Sequence, residues 1–582
     1  METHTRTTSK FNKTFSSMDI LMIAFGAMIG WGWVVSTGDW IGTAGVIGAM
    51  LGFILGGVMI FFIGMTYAEL TPAMPECGGE HVFSMRAMGP VGSFVCTWAI
   101  ILGYVSVVCF EACALPTIIT YVWPQFLQGY LYTVAGFDIY ATWLATVIVF
   151  AIFITVINIM GAKTAAKLQN ILTLAIGAAG ILLIAASVVT GNPSNLDGQM
   201  FAGSGMQGMM GTIIKVAAVS PFFFIGFDVI PQAAEEINVP LKKIGKILIL
   251  SIVLGVTFYA LIIFSVGYVM NSGQIAASYN GSGLVTADAM ANAFHSTIMA
   301  KVLILAGMCG IITSWNSFMI DGSRAMYSMA ESYMIPRFFA RLHPKTNTPY
   351  IAILVVGLLS VLAPFVGRKM LVWIVDAGNF GCILAYCMVS SSFIILHVKE
   401  PTMPRPYKVK HWKFIGAMAV LMSGIMIMLY VFPGTGVTLV PQEWAMVAGW
   451  TLLGVAFFAF SKLVYKEKFG YYAQLAVSES AKTEEQEETA AAARATSAIM
   501  AAEVSGPDEW SRGFDYFLPI NLVFGQGKVE QVGKIVAAHG TTAMIVTGGS
   551  SVKRTGTYDR VRALLEREGM HTVLFDRSPP IR

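Results

Sequence analysis

The sequence predicts an all-α polytopic membrane protein of twelve transmembrane helices, followed by a small truncated α/β tail. Three observations carry that prediction. The chain of 582 residues is 56% hydrophobic and only 12% charged, with a mean hydropathy of +0.68. Apolar runs of about 20 residues, the length that crosses a bilayer, recur twelve times before residue 468. Lys and Arg alternate between the two sides of these runs: with the N-terminus inside, 21 fall in inside segments and 4 in outside segments. The positive-inside rule then predicts a multi-pass protein of the cytoplasmic membrane, in contact with the lipid bilayer and with both termini cytoplasmic.

Residues 1–17 are polar and basic and carry no small-residue cleavage pattern, so they read as a cytoplasmic tail rather than a signal peptide. The membrane domain occupies 18–468, with runs at roughly 18–38, 43–68, 92–122, 141–160, 168–190, 211–233, 244–270, 298–321, 350–367, 371–397, 412–432 and 443–465. The net charge of +4 is small beside this sidedness, and no nucleic-acid partner is expected. The seven cysteines form no C-x-x-C pair, and most fall in apolar runs, where a thiol behaves as a small hydrophobe. Neither a disulfide nor a metal site nor a cofactor is expected.

The first run is interrupted. Phe25 to Val34 reads F-G-A-M-I-G-W-G-W-V, and each of Gly26, Gly30 and Gly32 costs about 1 kcal/mol relative to Ala in a helix. A break in a spanning helix strands backbone N–H and C=O groups, which is tolerated only inside protein or beside a wet cavity. Small residues four apart equally allow two helices to touch. The sixth run has a second break candidate, Ser220-Pro221-Phe222-Phe223-Phe224-Ile225-Gly226-Phe227-Asp228 followed by Pro231, because proline removes a donor and glycine weakens the helix. Asp228 reads either as an ionisable functional group in the membrane or as a cap on the following half-helix. Breaks five spans apart fit two inverted five-span repeats whose interrupted helices meet at one central site.

Here the residues resemble a family. F-G-A-M-I-G-W-G-W is similar to the G-x-x-I-G-x-G signature of amino acid permeases of the amino acid–polyamine–organocation superfamily. Met74-Pro75-Glu76-Cys77-Gly78-Gly79-Glu80-His81 followed by Arg86-Ala87-Met88-Gly89-Pro90 resembles that family's M-P-E-x-G-G-x-Y…R-A-x-G-P loop. Ile225-Gly226-Phe227-Asp228…Ala234-Glu235-Glu236…Pro240 resembles its sixth-span motif, in the form of the cationic amino acid transporter branch. Gly322-Ser323-Arg324, His343-Pro344 and Arg405-Pro406-Tyr407-Lys408-Val409 resemble its later loops, so the likeness covers about residues 15 to 465 in order.

The resemblance implies a LeuT-type fold with a 5+5 inverted repeat and broken helices 1 and 6. It also implies symport or exchange of an amino acid, or alternatively of an amine such as ethanolamine or a polyamine, coupled to H+ or Na+. By position, the substrate carboxylate would meet backbone N–H groups at Ile29, Gly30, Trp31 and Gly32. The amine would meet carbonyls around Phe222, Phe224 and Ile225, beside Gly226. Two positions depart from the family: Trp31 stands where many relatives carry Ser or Thr, and the fifth run lacks the lysine of some proton-coupled relatives. Trp31 and Trp33 equally read as packing residues.

Few other charges fall within the runs. Glu111, in V-C-F-E-A-C-A-L-P, reads as a proton carrier, as an amine contact, or as a carboxyl bonded to a neighbouring helix. Asp321 and Asp376 read as interfacial, and Ser314 and Asn316 as an ion site or as glue between helices.

After a polar Ala/Glu-rich linker at 469–510, residues 511–582 alternate strand and helix, the pattern of a parallel sheet. Strands are expected at Leu522–Phe524, Thr542–Val546 and Thr572–Phe575, with helices at Val529–Ala538 and Tyr558–Glu568. This stretch resembles the N-terminus of iron-containing alcohol dehydrogenases in P-x-x-x-x-F-G-x-G and V-T-G-G-S-S-V-K-R-T-G-x-Y-D. The nucleotide loop and metal ligands that the family places downstream have no counterpart, so no catalytic residue is assigned. A broken fusion is expected, with a nucleotide-sensing tail, a docking piece or a membrane-tethered dehydrogenase as alternatives.

Overall fold

The computed structural model describes residues 11, 13–134, 137–366, 368–471, 514–518, 520–524, 528–537, 540–546 and 556–575. The chain divides into two compact units, Met1–Leu475 and Ala476–Arg582.

The first helix starts where its sequence says it should. Ser16 accepts from the Asp19 N–H at 3.3 Å while Asp19 accepts from the Ser16 N–H at 2.8 Å, a reciprocal cap. Helix α1 (Ser17–Met28) then breaks, and the chain resumes as α2 (Gly32–Val35) and α3 (Thr37–Ala44). Next come α4 (Val46–Ala73), α5 (Glu80–Val122), the hairpin β1 (Tyr130–Val134) and β2 (Phe137–Tyr140), α6 (Ala141–Ile159) and α7 (Ala162–Thr190). The sixth run is α8 (Gly205–Val219), a 3-10 turn at Ser220–Phe224, and the short α9 (Val229–Gln232). Helices α10 (Leu241–Val269), α11 (Ser272–Asn280), α12 (Val285–Phe294), α13 (Thr297–Glu331), α14 (Tyr350–Leu362), α15 (Arg368–Lys399), α16 (Trp412–Val431) and α17 (Pro441–Tyr465) complete the first unit.

Eleven helices among the described residues are long and apolar enough to cross a membrane. The ninth of the twelve expected runs is the exception. Its apolar helix covers only Tyr350–Phe365, about 24 Å at 1.5 Å per residue, short of a ~30 Å hydrocarbon core. Pro349 precedes it, and its last turn tightens to a 3-10 helix at Ala363–Val366. The expected loop before the third run is also different. Glu80 to Met88 is already helical, and Gly89, at φ 77° and ψ −173°, separates it from the arm that begins at Pro90.

Around the first break, α1 packs against α7, α10 and α13, while α5 packs against α13 and α15. The chain before α1 is strapped to the segment after the sixth-run break. The Thr14 and Phe15 N–H groups donate to the Glu236 carbonyl at 2.8 and 3.0 Å, and the Asn238 N–H donates to the Phe15 carbonyl at 2.9 Å.

In the second unit, β3 (Phe514–Leu518) and β4 (Ile520–Phe524) form an antiparallel hairpin, Phe514 opposite Phe524. The first of these strands was not expected. A 3-10 turn at Lys528–Gln531 leads into α18 (Val532–Ala537), then β5 (Thr542–Val546), α19 (Thr557–Arg567) and β6 (His571–Phe575). Strands β5 and β6 are parallel, Thr542 opposite His571, with α19 as the crossover that a parallel pair needs. The Gly548–Ser551 loop and most of the linker lie outside the described residues.

Candidate functional site

A helix that stops inside a bundle leaves its last four carbonyls without intrahelical donors. At the end of α1 each of these four finds a side chain. The Thr313 hydroxyl donates to the Gly26 carbonyl at 3.0 Å, and the Ser314 hydroxyl to the Ala27 carbonyl at 3.0 Å. The Tyr259 hydroxyl donates to the Met28 carbonyl at 2.8 Å, and the Trp33 indole N–H to the Ile29 carbonyl at 3.2 Å. The amides are a different matter. The Ile29 N–H still donates to the Phe25 carbonyl at 2.9 Å, so it is engaged within the helical turn. Among the described residues, the Gly30, Trp31 and Gly32 N–H groups have no backbone acceptor. The break therefore offers donors at Gly30 to Gly32 and has its acceptors from Gly26 to Ile29 capped, while no donor reaches the Gly30 carbonyl among the described residues.

The glycines of the break also permit close approach. A Cβ at Gly30 would come 2.2 Å from Ser314 Oγ, and one at Gly32 would come 2.5 Å from the Phe223 ring. Both readings of the motif, break and close packing, hold at once.

The second break crosses the first. Ile225 is extended, with φ −63° and ψ 134°, and Gly226 has φ 131°, a backbone that disfavours any side chain. A Cβ at Gly226 would come 2.5 Å from the Ala27 Cβ and 3.2 Å from the Met28 N. The break in the sixth run thus rests on the end of α1.

Between the two breaks lies a cavity of about 130 Å³. Gly30, Trp31, Gly32, Phe222, Ile225 and Glu111 all line it. Ile29, Phe224, Gly226 and Asp228 do not: Ile29 and Phe224 are buried in the packing behind it. Val107, Phe110 and Phe318 make much of the remaining wall, with Tyr259 and Ser314 as polar points.

Glu111 is 7% exposed, and its Oε2 is buried with no hydrogen-bond partner among the described residues. Trp31 lines the cavity, and its indole wedges against Gly307, where a Cβ would come 2.1 Å from the ring. Trp33 is fully buried, edge-on to Phe258 at 5.3 Å.

Asp228 is neither exposed to the cavity nor a cap on α9. Its Oδ1 accepts from the Gly226 N–H at 2.9 Å, and its Oδ2 accepts from Tyr104 at 2.8 Å and Tyr386 at 3.0 Å. It fixes the second break to α5 and α15. Near it, Gln232 donates to Glu80, and the Arg324 Nε–Glu236 Oε1 pair closes at 2.7 Å with both side chains buried. Asp321 is fully buried, and neither of its oxygens has a hydrogen-bond partner among the described residues. Asn316 is glue: it donates to Gln169 and accepts from Asn158, both at 2.9 Å.

Sequence reasoning missed Tyr259, Thr313 and the wall residues Phe110 and Phe318. A lone Tyr or Thr in an apolar run carries no sign of which carbonyl it reaches.

Two interrupted membrane helices crossing at a small buried cavity define the class: a multi-pass membrane transporter. Residues 15–457 match the family described as "Amino acid permease", and the chain belongs to that family. It is 27% identical over 425 residues to the branched-chain amino acid permease BcaP of Bacillus subtilis (strain 168), covering 70% of this chain and 86% of that one. The methylthioribose transporter of the same organism is 24% identical over 470 residues, 77% of this chain and 94% of that one. Its aspartate-proton symporter is 25% identical over 426 residues, 72% and 79%. Residues 519–580 are similar to the family described as "Iron-containing alcohol dehydrogenase". No group of metal-ligating side chains occurs among the described residues.

Proposed function

We propose that this chain is a secondary active transporter, a symporter or an exchanger, that moves an amino acid across the cytoplasmic membrane by alternating access. The observation that carries this reading is the asymmetry of the first break. Its carbonyls at Gly26 to Ile29 are capped by side chains, while the Gly30, Trp31 and Gly32 amides have no backbone acceptor among the described residues. Free amides in a low-dielectric cavity suit an anion, so the substrate carboxylate sits at Gly30 to Gly32. The amine lies toward Phe222, Ile225 and Glu111, and the side chain meets Val107, Phe110 and Phe318. The apolar wall favours an apolar side chain.

The proposal includes a twelve-span, LeuT-type 5+5 repeat in which Tyr350–Phe365 is a short ninth span, with both termini cytoplasmic. H+ or Na+ drives uptake, and Glu111 is the group placed to carry a proton or to meet the amine. Asp228 acts as the tie that holds the second break. The α/β tail takes no part in transport.

An amine without a carboxylate is the second reading, favoured by the unpartnered Glu111 oxygen beside aromatic rings. Competition in proteoliposomes separates the two. Once a panel has identified a transported amino acid, its carboxamide and its decarboxylated amine are offered as competitors. Both are expected to compete poorly; equal competition by either would replace the amino acid reading with the amine one.

A further inference from the structure

A second cavity, of about 310 Å³, lies away from the breaks, between α5, α15 and α17. Trp98, Phe380, Leu384, Trp450, Val455 and Phe458 form its wall. Its floor is a stacked pair, Trp98 and Trp450, with ring centroids 4.5 Å apart and planes inclined by 15°. Each indole donates to the other's carbonyl: Trp98 Nε1 to Trp450 at 2.9 Å and Trp450 Nε1 to Trp98 at 2.8 Å. The Thr451 hydroxyl donates to the Val447 carbonyl at 2.8 Å. The polar side-chain atoms of the wall are therefore already satisfied, and a polar ligand would be desolvated there with nothing in return. Only a hydrocarbon group fits.

One end of the groove carries a cation. Lys462 follows Phe458 by one helical turn, and its Nζ lies 5.7 Å from the Phe458 ring and 5.3 Å from the Phe469 ring. It is exposed, and among the described residues it has no carboxylate partner. From Trp450 to Lys462 the helix rises about 18 Å, close to the ~15 Å of one leaflet of a bilayer.

We infer that this groove binds one anionic phospholipid, an acyl chain lying along Trp98, Trp450 and Phe458 and the phosphate headgroup held by Lys462. Three features favour lipid over a second copy of the chain: the wall lies within helices long and apolar enough to span a membrane, its α17 side runs from Val447 to Phe458, about 17 Å, and Lys462 sits one turn beyond that wall, where a headgroup would be. Placement in the inner leaflet rests on the orientation proposed above. The binding itself does not, so a failure of one is distinguishable from a failure of the other.

The test uses the purified full chain in mixed micelles with equimolar phosphatidylglycerol and phosphatidylcholine of the same acyl chains, read by native mass spectrometry. The chain is expected to retain about fivefold more phosphatidylglycerol, the factor that one lysine's attraction to an anionic lipid supplies. Lys462→Gln should bring the ratio to one, and Val455→Trp, which fills the groove from its rim, should lower retention of both lipids. Equal retention by the wild type, or a preference that survives Lys462→Gln, overturns the proposal. So does unchanged retention in Val455→Trp, or a dimer that this variant converts to monomer, which would assign the groove to a second copy. Lys462 is exposed, so its variant keeps the test decisive should Val455→Trp misfold.

Discussion

The Ser314 hydroxyl, which caps the Ala27 carbonyl at 3.0 Å, occupies the space that a side chain at Gly30 would need, 2.2 Å from an ideal Cβ. Residue 30 is thus glycine because α13 must come close enough to cap α1.

That relationship predicts a coupled pair. Gly30→Ala forces Ser314 off its carbonyl or pushes α1 from α13, a clash of the kind that costs about 1–3 kcal/mol. In Ser314→Ala the remaining Cβ lies at 3.4 Å from the same position, an ordinary contact. The double variant is expected to regain much of the thermal stability lost by Gly30→Ala alone, a non-additivity of contacting residues. Thermal unfolding of the four proteins in one detergent measures it. Strict additivity of the two single effects would show that the two residues do not share this space.

The second prediction concerns the strap below the breaks. Glu236 accepts from the Thr14 and Phe15 amides through its carbonyl and pairs with Arg324 through its carboxylate, both buried. Arg324→Met leaves a buried carboxylate uncompensated and is expected to lower stability by about 3–5 kcal/mol. Arg324→Met with Glu236→Met removes both charges and should recover most of that loss. Unfolding midpoints decide it; a single variant as stable as wild type would remove the pair from any role in holding the strap in place.

How much of this was legible in the sequence follows from what kind of signal each feature leaves. Spans and their interruptions are written in hydropathy and in Gly and Pro, which act locally, so the Gly30 and Gly226 regions could be located from the chain alone. Capping by Tyr259, Thr313 and Ser314 depends on partners more than two hundred residues away and leaves no local trace. Asp228 illustrates the same limit: its position next to a short helix suggested a cap, whereas Tyr104 and Tyr386 take one of its oxygens. Asp321 sits near the end of its apolar run, and neither the continuation of its helix to Glu331 nor the full burial of its side chain left a local sign. In the tail, Phe514–Leu518 lies beside a polar linker, and its strand is set by pairing with Ile520–Phe524.

The third prediction follows from the separateness of the two units. Deletion from Val477 onward should leave uptake per molecule of inserted protein unchanged in proteoliposomes. A large loss at normal protein level would give the tail a regulatory or structural part in transport.

The last prediction separates three roles for Glu111. Its carboxyl lines the cavity beside the first break, with one buried oxygen unpartnered among the described residues. Glu111→Gln keeps the size and the hydrogen-bonding capacity of the side chain but cannot release a proton. If Glu111 carries the coupled proton, uptake driven by a pH gradient collapses while exchange of labelled for unlabelled substrate at equal pH persists, because exchange needs the binding site but no net proton movement. If Glu111 instead holds the substrate amine, gradient-driven uptake and exchange fall together, since a charge-assisted contact and hence affinity are lost. If it only ties helices together, both activities survive, because the amide can take over its hydrogen bonds. The proton-carrier role is the expected outcome. It is excluded if the Gln variant keeps the wild-type rate of uptake under a pH gradient, and the comparison is valid because one protein preparation supplies both assays.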